Sequence, residues 1–341
     1  MSLFFMSISS KAQIVANGWK ISGYLEAYYS YDLNQPEDHL RPDFLYNFKR
    51  HNEFSVNLAF IRAAYSDDKV RANLALMTGT YAQFNLADEP AWAQMVYEAS
   101  VGVRLHEKLW LDVGVMPSHI GFESAEGMNT WHLSRSLLAE NSPYFLTGGR
   151  FTFAWSEKTD LTLWLTNGWQ NVQRIERNQS IGVGLGFNHR PVEGLEINYS
   201  NYYGNEWPQT LYLPRFFNNF YTMYSFNDWG VTLGADYGVE ATINPEVNQW
   251  YAFTVSLRRK LYEDFHLAAR ADYYSDKKGV ILNTGMEVTG YSLNLDYQIT
   301  PKALARIEFR QFNSPAPVFE LPAARFSRGN SAINSSLAIR F

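Results

Sequence analysis

The chain has 341 residues, with 34 acidic and 29 basic side chains and a net charge of -5. There is no basic excess to neutralise phosphates, so no nucleic-acid partner is expected, and the absence of cysteine removes disulfides, thiolate metal sites and thiol catalysis together. Aromatic residues reach 16% against 18% charged, and no run of eighteen apolar residues occurs; a helical membrane span is excluded, while strands with one apolar and one polar face are not.

In chain order, Met1 to Ala12 reads as the apolar back half and small-residue cut site of a secretory signal, with a cut before Gln13. Residues 13–341 then form one domain. From there the sequence runs in segments of about nine to thirteen residues with period-2 alternation. The first is Trp19 to Tyr31, followed by a long polar loop, Asp32 to His51, with Pro36 and Pro42. Phe54, Val56, Leu58 and Phe60 alternate with Ser55, Asn57 and Ala59, and a turn at Asp67-Asp68 returns the chain through Val70 to Thr80. Arg62 breaks this pattern by falling in phase with Phe60, which suggests either snorkelling to an interface or a bulge.

Further strands are predicted near 96–105, 109–116, 148–155, 161–169, 180–188, 195–203, 217–225, 229–239, 249–260, 265–274, 286–299, 303–312 and 333–341, about sixteen in all, with a bulge at Thr289-Gly290. Short turns (His106-Glu107-Lys108, Arg190 to Glu193, Asn227-Asp228, Thr300-Pro301-Lys302) alternate with longer segments. That is the pattern of an all-β, single transmembrane antiparallel barrel with short periplasmic turns and longer extracellular loops. Rows such as Leu161, Leu163, Leu165 and Ile181, Val183, Leu185, Phe187 would face lipid. Tyr28, Tyr29, Trp155, Trp169, Trp229, Trp250, Tyr273 and Tyr274, near strand ends, would form interfacial girdles.

The opposite faces carry the charges. Arg71, Arg104, Arg150, Arg258, Arg270, Arg306 and Arg310 stand against Glu98, Asp112, Asp160, Asp272 and Glu308, and in a barrel too wide for side chains to fill they would be hydrated pore-lining groups. The longest connection, 117–147, contains a predicted short helix from Leu133 stopped by Asn141-Ser142-Pro143. A loop of that length with apolar content is expected to fold into the lumen and set a constriction lined by His119, Glu123, Glu126, His132, Arg135 and Glu140. Gly182, Gly184 and Gly186 fall on one inward face, where small residues leave room for that loop.

Enzymatic chemistry is not expected. Ser118 adjoins His119 and Ser134 follows His132 by two, but no orienting acid is visible for either pair. His119 and Glu123 have helical spacing in a segment with no predicted helix, so neither a metal nor another cofactor is expected. The last strand, Ile333 to Phe341, alternates apolar and polar residues and stops on an aromatic. Such a strand finds cover in a closed barrel, between a neighbouring strand and lipid.

Gly23-Tyr24-Leu25-Glu26-Ala27-Tyr28-Tyr29, Gly114 to Glu123, and Asn141-Ser142-Pro143-Tyr144 leading to Gly148-Gly149-Arg150 resemble the OmpL-like β-barrel porin family of Gram-negative outer membranes. The resemblance implies a porin fold in the outer-membrane lipid bilayer, passive diffusion of small hydrophilic solutes or ions, and a C-terminal strand ending in Phe341 as the membrane-insertion signal read by the barrel-assembly machinery. Porins of this size are often homotrimers. The alternative kept open is a non-conducting surface-binding barrel whose loops carry the function; pore conductance separates the two.

Overall fold

The computed structural model describes residues 14–16, 18–244, 246–282 and 285–341; the signal-like segment Met1 to Ala12 lies outside the described residues. Sixteen barrel strands, with the three-residue strand Ile14–Ala16 paired on the start of the first, form one antiparallel sheet in which each barrel strand pairs with the next: β1 (Trp19–Asp32), β2 (Phe54–Ser66), β3 (Val70–Thr78), β4 (Val96–His106), β5 (Leu109–Pro117), β6 (Phe145–Ser156), β7 (Thr159–Thr166), β8 (Gly182–His189), β9 (Leu195–Asn205), β10 (Pro214–Phe226), β11 (Trp229–Ala241), β12 (Val247–Lys260), β13 (Phe265–Asp276), β14 (Met286–Thr300), β15 (Ala303–Asn313) and β16 (Gly329–Arg340). Strand β16 pairs with β1, from Ile333 opposite Tyr31 to Arg340 opposite Tyr24, so the sheet is a closed barrel with no free edge. Backbone bonds between Gly23 and Phe341 (2.8 and 3.0 Å) extend the seam to the last residue.

Seven short turns lie at one end and eight longer loops, here L1 to L8 in chain order, at the other. The outward positions match the apolar rows: Leu163, Leu165, Leu185, Phe187, Phe253, Val255 and Leu257 are exposed to what would be lipid.

The strand phases differ from the sequence reading in two places. Across β1 and β2, Glu26 opposes Leu58 but Ala27 opposes Val56, so Asn57 is an extra residue and the bulge lies here. It flips Phe60 and Arg62 into the lumen, which explains why Arg62 was in phase with Phe60. At Thr289-Gly290 the register runs on without a shift. What changes there is polarity, because Val288 points inward into an apolar cluster with Tyr274, Met286 and Phe312.

That cluster also corrects the girdle assignment. Tyr28, Trp250 and Tyr274 are buried, and Trp169 packs edge-on against Tyr202 and Phe217; all four serve an interior core. Trp155 and Trp229 are exposed outside. The core exists because L1 enters the barrel, bringing Phe44 and Leu45 onto Leu137 and Leu138 of L3 and onto Phe319 of L8. Apolar inner-wall residues are thereby removed from water.

Candidate functional site

The third loop, L3, leaves β5 after Pro117 and crosses the lumen. His119 lies on the Trp164 ring (5.3 Å between centroids), and its Nε2 is 2.9 Å from the Asn201 carbonyl oxygen. A Cβ on Gly184 would stand 2.7 Å from the His119 ring, so this glycine of the row makes room for the loop, while Gly182 and Gly186 make room chiefly for wall side chains, Tyr202 and Thr162. The backbone N–H of Gly121 then donates to Asn219 (3.1 Å).

Further on, L3 is bound to the β12–β15 wall. Glu123 accepts from the Ser136 N–H (2.7 Å) and pairs with Arg270 (3.2 Å). His132 bonds through Nε2 to Ser256 (2.7 Å) and through Nδ1 to Ser292 (3.1 Å). The Leu133 and Ser134 N–H groups donate to Asn294 and Glu308, each at 3.0 Å. Those wall acceptors take the N–H groups of Leu133 and Ser134 and keep residues 133–136 out of the helix, which is therefore shorter than predicted: α1 covers only Leu137–Glu140, with Ser136 as its N-cap accepting from Ala139 N–H (3.2 Å). Arg135 closes the loop on itself by donating to the carbonyls of Ser124, Ala125 and Leu133. Glu140 accepts the N–H groups of Tyr46 (2.7 Å) and Asn47 (3.3 Å), tying L1 to L3.

His132, Arg135 and Glu140 therefore act as fasteners, Glu123 both fastens and, with Glu126, borders open space, and His119 borders open space beside its bond to Asn201. The same division runs through the wall. Arg270, Asp272, Arg306, Glu308 and Arg310 were expected to be hydrated but lie under L3. Their side chains are 0 to 1% exposed, because each guanidinium there finds a carboxylate and, for Arg270 and Arg306, carbonyl oxygens of L3. On the β2–β9 side Arg71, Arg150 and Asp160 keep contact with water, at 30%, 26% and 37% exposed, whereas Asp112 and Glu98, also expected to be hydrated, are buried against arginines. Arg104 sits at the short-turn rim, donating to the Asp68 and Glu107 carbonyls. Arg258 stands 3.9 Å from Asp296.

Asp112 is held by two arginines, Arg71 through Nε and Nη2 (2.6 and 2.5 Å) and Arg150 through Nη2 (3.0 Å). Room for this cluster comes from Gly102, where a Cβ would collide with Asp112 Oδ1. Arg71 lies over Trp110 (4.4 Å) and Arg150 over Trp164 (5.3 Å), which fixes both guanidiniums against the wall. Arg62, which the sequence reading left as an anomaly, covers Phe60 and Tyr97 and pairs with Glu98 (3.5 Å) and Glu126 (3.3 Å). Two cavities lie between L3 and this wall. One of about 270 Å³ is bordered by Arg62, Tyr97 and Glu126, and one of about 410 Å³ by Arg71, Arg150 and Asp160; they share Ser118 and Gly121. Neither the tryptophans nor Arg62 were foreseen; Trp110 is in step with Asp112 and Trp164 with Thr162, a signal present in the strand phase, whereas Arg62 reaches this wall only through the Asn57 bulge.

Neither Ser–His pair forms a nucleophile and base. His119 is taken by Asn201, and the Ser134 hydroxyl accepts from Arg270 (3.2 Å) while His132 serves Ser256 and Ser292.

A closed sixteen-stranded antiparallel barrel with its third loop laid across the lumen has the architecture of an outer-membrane porin. The chain belongs to the family described as "Putative beta-barrel porin-2, OmpL-like", whose model matches residues 18–341, and it is a bacterial outer-membrane barrel of porin type. Its fold is similar to that of OmpT, an outer membrane protein of Vibrio cholerae (12% identity, 97% of this chain and 100% of that one, TM-score 0.63). The anion-selective porin of Comamonas acidovorans is similar too (7% identity, 95% and 99%, TM-score 0.63), as is Salmonella typhi OmpF, solved as a complex with daunomycin (12% identity, 96% and 100%, TM-score 0.63). No match was found among curated protein sequences.

Proposed function

We propose that the chain is a diffusion channel for small hydrophilic solutes or ions, working without covalent chemistry, and that its route runs between L3 and the β2–β9 wall. The observation that carries this is the asymmetry of the lumen. One half is filled by L1, L3 and L8 with their ion pairs buried, while on the other Arg71, Arg150 and Asp160 keep contact with water beside two adjoining cavities, with Asp112 and Glu98 buried in the wall beneath. Charged groups in that position tune the passage of polar solutes by their field. Stable open steps of the refolded chain in a planar bilayer test the reading. A folded barrel with no conductance would favour the second reading, a surface-binding barrel, to which the filled half of the lumen lends support.

A homotrimer is the assembly proposed, since a Vibrio cholerae OmpT structure of the same fold is described as a trimer form. Phe341 is proposed as the insertion signal for the assembly machinery, and Met1 to Ala12 as the remnant of a signal removed before insertion.

A further inference from the structure

We propose that the 410 Å³ cavity is a binding trough for zwitterionic solutes of peptide type, carrying an ammonium group at one end and a carboxylate at the other; this rests on the diffusion-channel reading above. The trough has two charged ends of opposite sign. At the inner end, Arg71 and Arg150 share one carboxylate, Asp112, which leaves one positive charge in excess. Toward the short turns the ratio reverses: Asp160 and Glu196 share one guanidinium, Arg190 (3.1 and 3.4 Å), leaving one negative charge in excess. Glu196 gains only neutral donors in addition, Asn188 (3.2 Å) and Tyr221 (2.8 Å).

Strand register sets the spacing. Arg150 faces Trp164, whereas Asp160 faces Ala154, four residues further along β6, so the two ends lie about 13 Å apart at the backbone. The long arginine side chains shorten that distance to the reach of a short peptide. Between the ends the wall carries Thr152 opposite Thr162, and Thr162 opposite Gly186, a low and uncharged floor. A Cβ at Gly186 would meet Thr162 Oγ1, so the floor stays low only with glycine there.

An independent feature points to a ligand. Among the described residues, five buried side-chain atoms on residues bordering this cavity have no hydrogen-bond partner: His119 Nδ1, Thr162 Oγ1, Trp164 Nε1, Asn188 Oδ1 and Asn198 Oδ1. Buried polar groups are ordinarily paired; these atoms lie just beneath the cavity surface, so side chains such as Asn188, Asn198 and Thr162 must turn toward the trough to meet the amide groups of a peptide. The neighbouring cavity does not repeat the arrangement, because Arg62 there stands between two carboxylates, Glu98 and Glu126. The pairs of Arg190 with Asp160 and Glu196 are exposed and individually weak and can exchange a partner for a solute group at little cost, whereas at the other end Arg71 and Arg150 keep Asp112 and offer their remaining exposed N–H groups.

Triglycine, N-acetyl-triglycine and triglycine amide, of nearly equal size, test the proposal. Each is added to the refolded wild-type chain in two measurements: block of ion current in a planar bilayer, and titration of tryptophan fluorescence in detergent, which reports on Trp110 and Trp164 beneath the two arginines. Triglycine should bind more tightly than either blocked form. Arg150→Gln should weaken it about tenfold, the loss of one charge-assisted contact, while leaving the amide unaffected; Asp160→Asn should weaken it similarly while leaving the acetylated form unaffected. Equal binding of the three probes, or no dependence on either substitution, overturns the trough. A wild-type chain that shifts its fluorescence with triglycine but conducts nothing overturns the channel reading instead.

Discussion

Arg306 and Asp296 face each other across β14 and β15 and form a two-pronged ion pair, both contacts at 2.8 Å, and the same guanidinium donates to the carbonyls of Gly127 (2.6 Å), Thr130 (2.6 Å) and His132 (3.0 Å). One side chain thus pins the descending part of L3 to the barrel wall. Removing it would leave the buried Asp296 carboxylate with Asn294 and the more distant Arg258 alone, and would take the donor from the Thr130 carbonyl. Arg306→Ala is expected to destabilise the barrel by about 3–5 kcal/mol, read as a lower urea midpoint of the refolded protein, and to leave L3 free enough to make single-channel currents noisy. Arg306→Lys should recover little, since an ammonium lacks the planar fork.

Deleting residues 121–140 removes the segment that lies across the lumen. If L3 narrows the route, conductance of the shortened chain should rise, and ion pairs such as Arg270 with Asp272 should become hydrated. A channel of unchanged conductance would show that the current bypasses L3.

Adjacent residues on β7 should respond in opposite ways to the same charge. Leu163 points outward and Thr162 into the lumen. Leu163→Arg is expected to cost roughly 2–4 kcal/mol near the bilayer midplane and to lower the yield of heat-modifiable barrel, whereas Thr162→Arg should assemble and reduce conductance. Equal yields would contradict the assigned faces.

Glu126 contributes a carboxylate beside Arg62 in the smaller cavity. Replacing it by Gln leaves Arg62 with Glu98 alone and makes that stretch of the route more positive. The reversal potential in a salt gradient should move toward anion selectivity, with conductance little changed.

At the seam, the Phe341 ring lies against Gly23, where an added Cβ would collide with it. Gly23→Leu should displace the terminal ring at a cost of about 1–3 kcal/mol and slow assembly in lipid vesicles, measured as the rate at which the heat-modifiable form appears.

The barrel was legible in the sequence because its cause is local. A strand between lipid and lumen must alternate with period 2, and a turn between two such strands needs only a few polar residues; both marks survive in one dimension. Asn57 shows where this fails. One extra residue reverses the face of everything after it, yet Phe60 and Arg62 keep their spacing, so the sequence alone shows an anomaly and not its sign. Trp250 and Tyr274 fail for another reason: an aromatic at a strand end suits a membrane interface and an apolar core equally well. Their phase, Trp250 opposite in face to Phe253 and Tyr274 in step with Asp272, already turns them inward; the entry of Phe44 and Leu45 from L1 gives them an apolar core there.

The candidate site divides in the same way. That Arg71, Asp112, Arg150, Arg270 and Arg306 point inward follows from their phase within each strand, a property the sequence determines by itself. Whether each meets water or a buried partner was decided by the path of L3, which fastens to Asn294, Arg306 and Glu308 and leaves Arg71 and Arg150 open. That choice depends on contacts between residues more than 150 positions apart. Strand pattern records which way a side chain points, while its solvation depends on what the rest of the chain places opposite it.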